Sequence, residues 1–292
     1  MLSKIIKKIK SSIFANSPSK IDIYLKNGSI PWSNGYNEYK WEQISHTLTN
    51  KIILSNFKTN LNIEKFGIGI DERIVEYPWI FSNINNDPTK LLDAGSTFNF
   101  KEIIELDVIQ KKNLSILTFY PEPNCFHVKC ISYVYSDLRD IPFKDELFDE
   151  VVCQSTIEHI AMDNSIYGYK PDANDINSQS KNYEYLKAIT ELLRVLKKNG
   201  SLFITFPYGR FENHGFFQQF DDEMTNRILQ ILSNAGHYDL TFFRYDKDGW
   251  KFSIKEECNN LQSYNPHTGI GKGTDGAAHC RGICCIKFYE TK

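Results

Sequence analysis

The sequence predicts an α/β protein built on a doubly wound, largely parallel sheet, and three observations carry that expectation. From residue 90 onward, apolar runs of strand length alternate with amphipathic helical stretches. The first such run, "LLDAGSTFNF" at 91–100, ends in Asp-Ala-Gly, where a backbone can come close to a ligand beyond a strand's carboxyl end. A chain of 292 residues, 41% of them hydrophobic, can bury one large core or a core plus a small appendage, so one main domain is expected.

The start, "MLSKIIKKIKSSIF", sets Leu2, Ile5, Ile6, Ile9 and Ile13 at helical spacing between lysines 4, 7, 8 and 10. Such a stripe packs on this protein or a partner subunit, or lies on an anionic membrane surface. Its lysines interrupt what would be a signal peptide's apolar region, and nothing approaches 18 consecutive apolar residues. A cytoplasmic protein is expected, with peripheral contact at the inner membrane surface through residues 2–13 as the alternative. Residues 17–35 are rich in turn formers and read as an irregular arm wrapping the domain. Next, Tyr36, Lys40, Ile44, Leu48 and Ile52 predict one helix, and "DERIVEYPWIFSNI" a second that Pro78 kinks or interrupts.

Strands follow at "KLLDAG", "LSILTF" (114–119), "CISYVY" (130–135), "FDEVVCQST" (148–156) and "SLFITFPYG", and two more at "YDLTFFRY" and "GICCIKFYE". Between them, "NFKEIIELDVIQKK" reads as a helix capped by Asn99. "YEYLKAITELLRVLKKNG" reads as a helix with Leu186, Ile189, Leu193 and Leu196 on one face and Gly200 just past its end. "DDEMTNRILQILSNAG" reads as a third, capped by Asp221 and closed by Gly236. The segment "DANDINSQSKN" is a polar loop.

Charge and cysteine usage exclude other classes. With 34 basic against 36 acidic residues, no overall positive field recommends the chain to nucleic acid. Seven cysteines without a repeated CxxC spacing fit a reducing compartment better than a disulfide framework or a structural zinc site. His267, His279, Cys280, Cys284 and Cys285 could gather late in the chain, but Cys284 and Cys285 read as core residues of the final strand, so no metal is expected. "GIGKGT" lacks the strand, loop and helix context of a phosphate-binding loop.

Three stretches carry a family resemblance: "LLDAGS", "SDLRDIPFKDELFDEVVCQSTIEHI" and "LLRVLKKNGSLFITFPYG". Together they resemble the class I S-adenosylmethionine-dependent methyltransferases of the type 11 kind, over roughly residues 70–290. The resemblance implies a Rossmann-like doubly wound seven-stranded sheet closed by a reversed C-terminal β-hairpin. It divides the chain into an N-terminal helix and arm (1–62) and a methyltransferase domain (63–292), with S-adenosyl-L-methionine as the cofactor.

For the donor, the resemblance implies Asp93, Gly95 and Ser96 at the first turn. Asp93 would meet the ligand's ammonium or else fix its own loop. Asp137 and Leu138 would flank the adenine, and Gln154 ends the fourth strand. The second strand ends in "TFYPEP" where an acidic residue usually holds the ribose, so either Glu122 reaches back or an aromatic and a backbone group serve. Upstream, Glu72, Arg73, Glu76 and Tyr77 could bind the donor's charged end. Tyr77 or Trp79 would face the sulfonium through a cation–π contact, or both pack in the core.

For the acceptor, a hydroxyl benefits from a base, and histidine is the natural one near neutral pH. His159 and His214 follow the fourth and fifth strands, on ligand-side loops, and are the candidate bases. Glu158 and His159 position the acceptor or complete the fold. In "PYGRFENHGFFQQFD", Tyr208, Arg210, Asn213, Gln218 and Gln219 crowd beside Phe216, Phe217 and Phe220, a composition suited to a polyhydroxylated substrate. "IPWSNGYNEYKW", "ERIVEYPWI" and the His214 loop resemble methyltransferases of surface-polysaccharide synthesis. The expected function is therefore O-methylation of a small hydroxylated acceptor, a saccharide or activated sugar precursor. The alternative is a non-catalytic relative that binds a partner or membrane. A nicotinamide oxidoreductase would need GxGxxG, and nucleic-acid amino methylation an Asn/Asp-Pro-Pro-aromatic run; neither motif is present.

Overall fold

Eight strands form one sheet in the order β3 (Ser132–Tyr135), β2 (Asn113–Thr118), β1 (Lys90–Ala94), β4 (Phe148–Gln154), β5 (Leu196–Pro207), β10 (Gly282–Tyr289), β8 (His237–Asp246), β9 (Gly249–Ser253). A separate short ribbon pairs β6 (Glu212–Asn213) with β7 (Gln218–Gln219). The computed structural model describes residues 18–61, 63–165 and 180–289. The basic stretch 2–13 and residues 172–179 of the polar loop lie outside them. Among the described residues no helix is long and apolar enough to cross a membrane.

Pairing is parallel from β3 through β5, while β10 runs antiparallel to both β5 and β8. The expected seven strands and the reversed hairpin at the carboxyl end are present. An eighth strand, β9, adds to the edge through a two-residue turn between Asp246 and Gly249. Asp248-Gly249 is a hairpin signal that the strand pattern alone left unused. Gly249 is required there: it sits at φ +93, and a Cβ would come 2.4 Å from the Phe66 carbonyl oxygen.

Alternation along the strands divides the core between the two faces. Leu92 and Ala94 of β1 pack with Val151 and Cys153 of β4 under α7 (Tyr185–Val195) and α8 (Asp222–Ala235). Leu91 and Val152 face the other way, against Ile44, Phe57, Ile74 and Ile80. Those residues come from α2 (Tyr36–Thr49), α3 (Lys51–Lys58) and α4 (Arg73–Asn83). The arm thus contributes to the main core.

Several local expectations change. Residues 20–26 form a helix, α1 (Lys20–Lys26), because Ser19 and Asp22 make a reciprocal capping box. The single helix expected through Ile52 breaks at Asn50, whose side chain caps α3, and Ile52 is 75% exposed. Pro78 lies inside a continuous α4. Asn99 caps nothing; its side chain bonds the Asn124 carbonyl and Tyr133, and two short helices, α5 (Lys101–Ile104) and α6 (Asp107–Gln110), replace the one expected. Gly200 is a strand residue, held to glycine because a Cβ would come 2.8 Å from the Lys197 carbonyl. Asp221 and Gly236 bound α8 as expected.

Candidate active site

The carboxyl ends of β1 to β4 open into one cavity of about 510 Å³. In doubly wound sheets, ligands bind there because the strand order reverses. From β1 it takes Gly95, Ser96 and Thr97; from β2, Thr118, Phe119, Tyr120 and Glu122; from β3, Asp137, Leu138 and Arg139; from β4, Ser155, Thr156 and His159. Arg73 and Tyr77 close it from α4, and Ala161, Met162 and Asn164 from the segment after β4.

The backbone is bent unusually around this space. Ser96 (φ 62), Ser155 (φ 37) and Ala161 (φ 55), all lining the cavity, are non-glycine residues in the left-handed region. Such conformations cost about 1–3 kcal/mol each and persist where surrounding structure fixes them. Gly95 has φ +129, and a Cβ there would stand 2.0 Å from Thr156 Oγ1. The missing side chain is therefore what lets the β1 and β4 turns meet. Ser96 Oγ is buried with no hydrogen-bond partner, a polar atom at the cavity wall available to a ligand.

Asp93 does not reach the cavity. Its carboxylate accepts hydrogen bonds from Thr97 N (3.1 Å), Thr97 Oγ1 (3.1 Å) and Phe98 N (2.7 Å), so it fixes its own turn. Burial pushes it up to about 7 against those three donors. Gln154 and Glu76 are likewise withdrawn. Both are fully buried, with Gln154 Nε2 donating to Glu76, which also accepts from Ser155 Oγ (2.5 Å) and Thr205 Oγ1 (2.5 Å). Glu76 pairs with Arg73 at 3.0 Å and so anchors the guanidinium that faces the cavity. The assignment of these three side chains to direct donor contact is corrected: none lines the cavity, Asp93 and Glu76 spend their carboxylates on the turns around it, and Gln154 is enclosed behind them with its Oε1 unpartnered.

Tyr77 lines the cavity and donates to the Thr97 carbonyl at 2.5 Å, whereas Trp79 packs in the core against Phe203. Glu122 reaches the space beside Thr118, whose hydroxyl lies 3.5 Å from Glu122 Oε1. Asp137 is 28% exposed and clasped by Arg139 through Nε (3.1 Å) and Nη2 (2.7 Å).

The two candidate bases separate. His159 lines the cavity, and its Nδ1 lies 2.7 Å from the Phe216 carbonyl oxygen. A carbonyl only accepts, so Nδ1 carries the proton and Nε2 the lone pair. Burial pushes His159 down to about 4, with the Phe216 bond opposing, so the ring is neutral at pH 7. Glu158 Oε1 stands 4.0 Å from Nε2. Burial pushes that carboxyl well above its usual range, and its Oε2 is an unpartnered buried atom.

His214 is 3% exposed, stacked on Phe217 at 4.5 Å and 3.6 Å from Glu212, outside the cavity lining. Nor do the loop's polar residues line it. Tyr208 donates to Asn259, Gln218 to the Asn182 carbonyl, and Gln219 to Arg210 and Leu261 carbonyls. Arg210 pairs with Glu212, and Asn213 accepts from Gly215 N. The substrate role expected of these residues is corrected: none of them lines the cavity, Tyr208, Gln218 and Gln219 bond to neighbouring segments, and the β6–β7 ribbon instead presents Phe216 to His159. Sequence reasoning overlooked Ser155, Thr156, Arg139 and Asn164. Thr156 had a readable signal, the glycine at 95, but nothing in sequence says which side chain fills that gap.

Residues 95–204 match the family model described as a methyltransferase domain, a little over a third of the chain. No curated protein matches. Among solved structures, the chain is similar to a possible histamine N-methyltransferase of Thermotoga maritima (11% identity, 88% of this chain and 96% of that one, TM-score 0.45). It is also similar to 1,6-didemethyltoxoflavin-N1-methyltransferase of Burkholderia thailandensis, solved with S-adenosylhomocysteine (13%, 70% and 72%, TM-score 0.40). A third is an S-adenosylmethionine-dependent methyltransferase of Methanosarcina mazei (14%, 74% and 99%, TM-score 0.41). The matched residues span the β1, β2, β3 and β4 turns that build the cavity. Residues 95–204 are thus similar to a methyltransferase domain.

Proposed function

We propose that this domain O-methylates a small hydroxylated acceptor, with His159 as the base. The observation that supports the reading most directly is His159 in the cavity wall, its tautomer set by the Phe216 carbonyl so that Nε2 can accept a proton. The residues fit the donor: Gly95 leaves room for close approach, and Ser96 Oγ is an unpartnered polar atom. Ser96 and Thr97 would hold the methionyl end, Glu122 the ribose hydroxyls, and Asp137 and Leu138 the adenine. Bound S-adenosylmethionine supplies an electrophilic methyl group.

The chain's own part is alignment, dryness and one proton. Leu117, Leu138, Ile160 and Met162 form apolar wall, which keeps water from competing with the acceptor. Arg73 offers donors that orient an acceptor's oxygens, while Asn164 Nδ2 donates to the His159 and Met162 carbonyls and so holds the His159 segment. His159 Nε2 takes the hydroxyl proton as the oxygen becomes nucleophilic.

Within this reading the acceptor is a saccharide or activated sugar precursor, read by Arg73 and His159 in place of the 208–219 loop. Residues 63–292 act as the catalytic unit with 1–62 as its arm, supported by the packing of Ile44, Leu48 and Phe57 onto the core. The test incubates the full chain with donor and a panel of nucleotide sugars, free saccharides and amine controls, and follows S-adenosylhomocysteine and product mass. Gain of one methyl by a hydroxylated acceptor is expected. Turnover confined to amines refutes the O-methylation, and absence of donor binding in calorimetry at millimolar concentration refutes the whole reading.

A further inference from the structure

Glu72, His279 and Cys280 meet at the N-terminus of α4, 207 and 208 residues apart in sequence. Glu72 Oε1 is 3.0 Å from His279 Nδ1, and Cys280 Sγ is 3.3 Å from Glu72 Oε2. One ligand atom from each lies within 4.8 Å of the other two. Glu72 and Cys280 are buried, and the His279 side chain is 14% exposed. From this geometry we propose that the three side chains bind a zinc ion, with a fourth position left for water or another small ligand.

The charges around the cluster argue for it. In Asp71-Glu72-Arg73, the flanking groups already have partners: Asp71 pairs with Lys40 at 2.7 Å, and Arg73 with Glu76 at 3.0 Å. Glu72 alone of the three turns to side chains that are themselves metal ligands. Oxygen, nitrogen and sulfur together are a donor set that suits zinc and disfavours magnesium or calcium, which take oxygen. Tetrahedral zinc with bonds of about 2.0–2.3 Å needs ligand atoms roughly 3.3–3.6 Å apart. The 3.0 Å and 3.3 Å spacings go to the two different oxygens of one carboxylate, so a single ion requires Glu72 to turn one oxygen toward both partners and the widest pair, within 4.8 Å, to close toward roughly 3.6 Å.

The charge balances as well. Binding converts the Cys280 thiol to a thiolate and releases one proton, so carboxylate and thiolate together neutralise the dication. The ion would tie the segment entering β10 to the helix that carries Arg73 and Tyr77 into the cavity. The site does not depend on the acceptor reading, because its readouts are metal content, colour and melting.

The experiment takes the full chain, stripped with chelator and then dialysed against one equivalent of zinc or cobalt(II). The expected results are one metal ion per chain and, with cobalt, a thiolate-to-metal charge-transfer band in the near ultraviolet. Zinc at a hundredfold excess over its Kd should raise Tm by roughly 5 °C. Cys280→Ser keeps a donor for Glu72 and should lose the band, while Cys130→Ser, at an exposed thiol, should keep it. A wild-type chain that retains no zinc and shows no band overturns the proposal whatever the variants do. So does a band that survives Cys280→Ser.

Discussion

Replacing His159 by Gln tests the base and its environment together. The side chain is 20% exposed, and burial holds it at about 4 against an ordinary 6.5. The sign follows from proton counts. Between those values the unfolded chain binds a proton that the fold does not, so stability is present above pH 6.5 and is lost as pH falls toward 4. The gap is worth roughly 3 kcal/mol at 1.36 kcal/mol per unit. His159→Gln has nothing to titrate, so between pH 6.5 and 4 it should lose about that much less than the wild type. Urea midpoints measured at half-unit pH steps give the comparison. The same variant should lower kcat by about 10²- to 10⁴-fold, the usual contribution of a positioned base. In the wild type the acid limb of kcat/KM from this residue should fall near pH 4, leaving activity flat with respect to it from pH 5 upward. Parallel stability curves for the two proteins would refute the buried neutral histidine, and an unchanged kcat would refute its role as base.

Other substitutions separate turn geometry, donor contact and scaffold. Gly95→Ala places a methyl group 2.0 Å from Thr156 Oγ1 at φ +129, so donor affinity in calorimetry should fall more than about tenfold, since strain of this kind exceeds 1–2 kcal/mol; wild-type affinity would show that the β1 and β4 turns are not in contact. Glu122→Gln removes a carboxylate from the cavity wall and should weaken donor binding about tenfold, as charge-assisted hydrogen bonds are worth about 1.5–3 kcal/mol; an unchanged Kd would leave the ribose to other groups. Lys112 is buried, donating to Glu150 (2.5 Å), Thr89 Oγ1 (2.7 Å) and the Asn85 (2.6 Å) and Asp87 (3.0 Å) carbonyls. Lys112→Met should cost about 3–5 kcal/mol in chemical denaturation by stranding the Glu150 charge, with Lys112→Met/Glu150→Met recovering part of it. A loss below 1 kcal/mol in the single variant would contradict that burial.

The strands were legible because a central parallel strand is apolar on both faces and reads as a continuous run, as "LLDA" and "VVCQ" do. Helix ends were less legible. Asn50 and Ser19 are cap residues, but so is Asn99 by type, and which of them finds backbone N–H groups depends on where the chain goes next. The cofactor turn was recognisable by position. Its Asp93 was not resolved between ligand and cap, because a carboxylate at a strand end can serve either, and here its own turn supplies three donors.

The histidines show where sequence stops. His159 and His214 both follow parallel strands, and only the path of the β6–β7 ribbon decides that one faces the cavity while the other stacks on Phe217. The polar residues at 208–219 advertised a binding loop, yet a loop that folds back on itself must satisfy its own buried amides first.

By itself, then, the sequence determined the layered α/β fold, since this depends on periodicities of two and 3.6 residues that need only neighbours, while the reversed final hairpin was implied by the family resemblance and not by any periodicity. Tertiary structure decided which polar side chains remain available. It tied up Asp93, Glu76 and Gln219 in hydrogen bonds, left Ser96 Oγ and Gln154 Oε1 without partners, aimed His159 into the cavity, and brought Glu72 to His279 and Cys280. Such meetings between residues far apart in sequence leave no spacing to read.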